Sequence, residues 1–238
     1  MTAVGSNLNI VTPGHSCEAR ATGAADAVKA IYQRRAVRVY DDKPVTRDNV
    51  DFLVDAAIHA PSAVNCQPWA FVVIQEREVL ARYAKEGKQL LFNEPPVIEV
   101  VESGLPDMDR LRQMASGPDF ELFHGAPALV VIYATSADGV PDCFLAAQNL
   151  MLAAWTLGLG SCPIGLARPL FNRAEVKEEL GVSPEWPCAL PIAVGWPDGE
   201  TPPTSRRPAQ IVAWRCAHQR SRAWAIGPAL PVRDPPHR

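Results

Sequence analysis

The chain predicts an α+β or α/β fold built on one central sheet, and three observations carry that prediction. Short apolar runs rich in β-branched residues recur at "AFVVIQ" (70–75), "PALVVIYA" (127–134) and "CALPIAVGW" (188–196), the pattern of strands buried on both faces. Segments with helical apolar spacing alternate with them. At 238 residues and 47% apolar content the chain is long enough to bury one substantial core, so a single domain suffices.

Taken in order, "GAADAVKAIYQRR" (23–35) places Ala27, Val28, Ile31 and Tyr32 on one helical face and delivers two arginines at its end. A break follows at "VYDDKP". Thr46 then caps a second helix, in which Val50, Leu53, Val54, Ala57 and Ile58 form the apolar stripe. Pro61 stops it, because the residue before a proline disfavours helix. After the strand at 70–75, "EREVLARYAKEG" reads as a helix closed by Gly87. From 88 to 125 frequent turn residues defeat any periodic reading. "PDCFLAAQNLMLAAWTLG" (141–158) is the most apolar helix, with proline near its start and Gly158 after its end. Being apolar on nearly every side, it should pack against more than one neighbour. "RAEVKEELG" reads as an exposed helix with a glycine stop, and 197–208 as a proline-rich surface segment. The first 22 residues and those after 212 lack periodicity and read as extensions flanking a domain at 23–212.

Several function classes are disfavoured. A net charge of −3 argues against a dedicated nucleic-acid binder, and no apolar run reaches membrane-spanning length. The N-terminus lacks the basic start and apolar core of a secretory signal. Cys17, Cys66, Cys143, Cys162, Cys188 and Cys216 form no C-x-x-C pair and stand at no zinc-site spacing from a histidine. They read as reduced thiols of a cytoplasmic protein, and the five dispersed histidines make no metal site.

Three clusters could carry chemistry. "RRAVR" groups Arg34, Arg35 and Arg38 at and beyond a helix C-terminus, and Arg206 and Arg207 sit in the later proline-rich turn. Arginines at a helix end interact well with its dipole, but three within five residues exceed that need and suit a phosphate. "HAPSAVNCQPWAFVV" (59–73) places Ser62, Asn65 and Gln67 between Pro61 and Pro68, a loop fit for the polar edge of a planar heterocycle. "GLGSCPIG" (158–165) follows a helix, so it is no dinucleotide fingerprint; its small residues let backbone N–H groups approach a ligand. A hydrolase built on Cys66 or Cys162 has little support, since no suitable histidine–acid pair is visible.

Together these pieces resemble the nitroreductase family of flavoproteins. The family pattern opens with an R-R-S-x-R-like segment and continues with A-P-S-x-x-N-x-Q-P-W, complete here as Ala60 to Trp69. It then runs through the long helix into "GSCPIG" and ends in an R-R-P-like tail, so order and spacing match from about residue 26 to 212. The resemblance implies an α+β fold with a central, mostly antiparallel sheet flanked by helices, assembled as an intertwined homodimer. It implies FMN as cofactor and NADH or NADPH as hydride donor. Arg34, Arg38 and Arg206 would hold the phosphate and the ring's pyrimidine edge, with Arg35 and Ala36 alongside. Ala36 stands where the family commonly has serine. Pro61, Ser62, Ala63 and Asn65 would line the flavin from the partner subunit, and Asn93 would bond the pyrimidine edge. Pro163, Ile164 and Gly165 would lie against the ring. The expected reaction is ping-pong transfer to an electron-poor acceptor such as a nitroaromatic or quinone, with no catalytic side chain because the flavin carries the chemistry. The competing reading is a module that senses or stores FMN without nicotinamide turnover.

Overall fold

The computed structural model describes residues 26–93, 113, 115–117, 119–215, and the chain divides after Pro203 into two units. In the first unit four strands form one sheet in the order β1-β2-β4-β3: β1 (Trp69–Ile74), β2 (Ala128–Ala134), β3 (Gly160–Pro163) and β4 (Cys188–Gly195). Every neighbouring pair is antiparallel. All residues of β2 and β4 are buried, so these central strands read as unbroken apolar runs.

The two faces are covered by different helices. On one face Val130, Ile132, Ile192 and Val194 meet α2 (Arg47–Ile58) and α4 (Val140–Thr156). On the other, Leu129, Val131, Tyr133 and Ala193 meet α3 (Arg77–Asn93), α5 (Arg168–Phe171) and α6 (Ala174–Glu179). α2 starts as predicted: the Thr46 side chain accepts from the Asn49 N–H, and the Asn49 side chain accepts from the Thr46 N–H. Its buried stripe is Val50, Leu53 and Ala57.

One expectation about helices needs correction. Gly87 does not close a helix, since α3 runs on to Asn93. The glycine is buried there because a Cβ would strike the Leu122 side chain. In α1 (Asp26–Gln33) the apolar stripe is largely exposed: Ile31 is 56% and Tyr32 74% exposed, while Ala30 is buried. α4 packs on α2 and the sheet, yet Phe144 and Leu145 remain exposed on its outer side. "SCP", expected as part of a loop, is the edge strand β3. Among the described residues no helix is long and apolar enough to cross a membrane.

Candidate functional site

The arginine-bearing segment is fixed against β3 by backbone contacts. Leaving α1, the chain forms a parallel bridge between Ala36 and Ser161, and the Val37 N–H donates to the Ser161 carbonyl at 3.1 Å. Gly160 permits this approach, because a Cβ there would lie 2.6 Å from Val37 Cγ2. The Tyr40 hydroxyl then donates to the Val37 carbonyl at 2.8 Å and ties the segment down further along. Arg34, Arg35 and Arg38 are thereby carried along the edge strand that leads to Pro163 and Gly165.

The three arginines do different things. Arg35 donates to the carbonyls of Tyr32 (2.7 Å) and Arg34 (2.9 Å), closing the last turn of α1 as arginines at helix ends commonly do. Arg34 and Arg38 lie close enough to Cys162 to act on its thiol: burial pushes its pKa up, and Arg38 and Arg34 pull it part of the way back. The Sγ–H donates to the Pro163 carbonyl, so this is a protonated core thiol and not a nucleophile. His124 is half-buried with left-handed backbone (φ 58°) beside Gly125. Burial first, then the Arg38 guanidinium, holds its imidazole below the ordinary histidine range.

At the end of β3 Pro163 is exposed; beyond it Ile164 is buried and Gly165 opens a 3₁₀ turn to Ala167. A Cβ added to Gly165 would meet nothing within 4 Å, so this turn presents bare backbone to open space. Beside β3 a cavity of about 240 Å³ lies between the end of α1 and the end of α4. Arg34, Arg35, Trp155, Ser161 and Thr201 are among its lining residues.

The second predicted loop is elsewhere in the chain's fold. Pro61, Ala63 and Asn65 are exposed and Ser62 half-exposed, and the Ala63 N–H donates to Asp142 Oδ2 at 3.1 Å, in the first turn of α4. Trp155, beside Arg34, is in the last turn of that helix, about 20 Å away at 1.5 Å per residue. Within one chain, therefore, the loop and the arginines lie at opposite ends of α4. The loop is also strained: Val64 (φ 45°), Asn65 (φ 59°) and Gln67 (φ 49°) are left-handed, and Val64 is 93% exposed. The Gln67 N–H donates to Ser62 Oγ at 3.0 Å and helps to hold that shape. Asn93 is the last residue of α3; its side chain lies outside the described residues. Arg206 belongs to the second unit, where it is exposed and donates to the Ser205 carbonyl.

An antiparallel α+β sheet with an arginine segment on its edge strand defines the class, and comparison with known proteins gives it a name. The sequence profile of the nitroreductase family matches residues 31–196, and the chain belongs to that family. An NADH dehydrogenase of Thermus thermophilus is 28% identical over 205 residues, spanning 80% of this chain and 96% of its own. The FMN reductase [NAD(P)H] of Bacillus subtilis is 27% identical over 192 residues, 79% of this chain and 72% of its own. A solved FMN-bound nitroreductase of Bacteroides fragilis superposes with a TM-score of 0.67 at 22% identity, covering 81% of this chain and all of its own. It shares the fold.

Proposed function

We propose that this chain is an FMN-dependent oxidoreductase that takes hydride from NADH or NADPH and passes it, by a ping-pong mechanism, to an electron-poor small molecule such as a nitroaromatic or quinone. The observation that carries the reading is the bridge of Ala36, which stands between Arg34 and Arg38, to β3 directly upstream of the uncovered Gly165 turn. That geometry fits the cofactor: cations stand at one end of an edge strand, and bare backbone facing open space stands at the other. Its relatives include proteins named as FMN reductase and NADPH-flavin oxidoreductase, which supports the same cofactor and donor here.

When bound, FMN supplies hydride acceptance and donation at its N5 position. The protein's part is to bind, orient and tune. Arg34, with Arg35, would hold the phosphate by charge-assisted hydrogen bonds. Arg38, exposed beside Ala36, would hold the pyrimidine edge with Asn93 and favour negative charge there. Pro163, Ile164 and Gly165 would form the floor, the Gly165 N–H being the donor nearest the reacting atom. One open face beside Gly165 serves both reactants in turn, which is the reason for the ping-pong order.

The site requires two copies of the chain. Pro61, Ser62, Ala63 and Asn65 lie at the far end of α4 from Arg34, so a second protomer would bring them to the flavin. The exposed apolar residues Val28, Ile31 and Tyr32 on α1 and Phe144 and Leu145 on α4 offer the surface for such a homodimer. Cys66, Cys143, Cys162 and Cys188 are free thiols, in keeping with a cytoplasmic protein.

Anaerobic titration of the FMN-loaded protein tests the reading. NADH or NADPH should bleach the flavin band, and initial-rate plots with a quinone acceptor should be parallel. Bleaching by light but not by either nucleotide would select the storage or sensing alternative. Failure to bind FMN at saturation would exclude both.

A further inference from the structure

We infer that Asp142, in the first turn of α4, is the positioning residue that holds the 61–67 loop in the shape that serves the flavin. The inference rests on the reading above that this loop lines a flavin; the clamp itself is a property of the chain.

Both ends of the loop are seated. Ala60 is buried at the end of α2. Pro68 is buried too, and its carbonyl accepts from the Thr135 N–H at 3.0 Å and from the Cys143 thiol at 3.4 Å. A Cβ on Gly139 would lie 2.5 Å from Pro68 Cβ, so the exit of the loop sits tightly against the start of α4. Between these ends no side chain is buried: Ser62 is half-exposed and the rest of 61–67 is exposed. The Asn65 N–H donates to Ser62 O, the Cys66 N–H to Ala63 O and the Gln67 N–H to Ser62 Oγ, all within the loop. Among the described residues, the hydrogen bond that joins 61–67 to the rest of the fold runs from the Ala63 N–H to Asp142 Oδ2, at 3.1 Å. A carboxylate acceptor makes it a charge-assisted bond.

The backbone needs such a hold. Val64, Asn65 and Gln67 are left-handed without being glycine, and Val64 is β-branched, the type least suited to that region. With Val64 93% exposed, its burial offsets none of the strain. Released from Asp142, Val64 can return to an ordinary conformation, and that rotation turns Asn65 away from its present place.

Asp142→Ala, Asp142→Asn and Asp142→Glu separate this clamp from a helix-end charge, since an acidic residue in a first turn also favours the helix dipole. Asparagine keeps an acceptor at the same reach without the charge. Glutamate keeps the charge but displaces the acceptor by one methylene. Asp142→Ala should weaken FMN about tenfold, the loss expected for a hydrogen bond to a charged group. Asp142→Asn should recover much of that affinity and Asp142→Glu should not. Hydrogen exchange of the full chain without FMN, followed by mass spectrometry, reads the loop directly. In Asp142→Ala the peptide covering 59–68 should exchange faster, and that covering 143–156 should keep its wild-type rate. Glutamate matching wild type while asparagine matches alanine would make Asp142 a helix-end charge and overturns the inference. Unchanged FMN affinity in Asp142→Ala, or faster exchange of 143–156 along with the loop, overturns it as well. Should wild type bind no FMN, the reading of function fails separately, and exchange alone decides the clamp. Faster loop exchange in Asp142→Ala, restored in Asp142→Asn, sustains it, and equal rates overturn it.

Discussion

Replacing Gly160 with alanine should push the arginine segment off the edge strand. The new Cβ would lie 2.6, 2.7 and 2.9 Å from Cγ2, Cβ and Cγ1 of Val37. All three carbons are involved and valine is stiff at χ1, so no rotamer relieves the contact. Val37 is itself buried and bonded through its N–H to Ser161 O, so the backbone must give way. Overpacking of this kind costs about 1–3 kcal/mol, which for a domain of this size lowers the melting temperature by roughly 2–12 °C. The displaced segment carries Arg34, and loss of one charge-assisted contact weakens FMN binding about tenfold or more. Differential scanning fluorimetry and flavin titration read both effects. Adding Val37→Ala removes the two γ-carbons but leaves the 2.7 Å Cβ contact, so the double variant should recover part of both losses. If Gly160→Ala melts and binds FMN like wild type, the close seating of Val37 on β3 does not position the site.

Other outcomes follow from the same geometry. Gly165→Leu adds a side chain to open space at an exposed turn, so it should fold with wild-type stability while FMN binding or its reduction by NADH is lost. Ile31→Glu and Tyr32→Glu together place charge on the exposed stripe of α1; sedimentation should show a monomer, and FMN should be lost with the dimer. His124 has a folded-state pKa below its unfolded value, so between the two the unfolded chain binds more protons. Stability is then lost as pH falls below about 6.5. Between pH 7.5 and 5.5 the melting temperature of wild type should drop further than that of His124→Asn, which tolerates the left-handed backbone.

Elements whose local chemistry matches their tertiary setting were legible in the sequence. The Thr46 cap, the Val50–Leu53–Ala57 stripe and the buried strands β2 and β4 needed no context, whereas the run at 70–75, which reads as buried on both faces, forms the edge strand β1 and is mostly only part-buried. β3 was not legible, because four small residues have no periodicity and the strand exists through pairing with β4 and the bridge to Ala36. Gly87 read as a stop because glycine is a poor helix former; close packing against Leu122 overrides that cost. The stripe of α1 was read correctly as apolar, but a single chain leaves most of it uncovered. For the site, residue types identified the arginine segment and the Gly165 turn, whereas the separation of the 61–65 loop from them depends on the length of α4.

A crystal structure of the FMN complex examines the account at its centre. The ring should rest on Pro163, Ile164 and Gly165 of one protomer, its phosphate against Arg34, with Asn65 arriving from the other copy. A flavin bound away from Gly165, or reached by the 61–65 loop of its own chain, would contradict it.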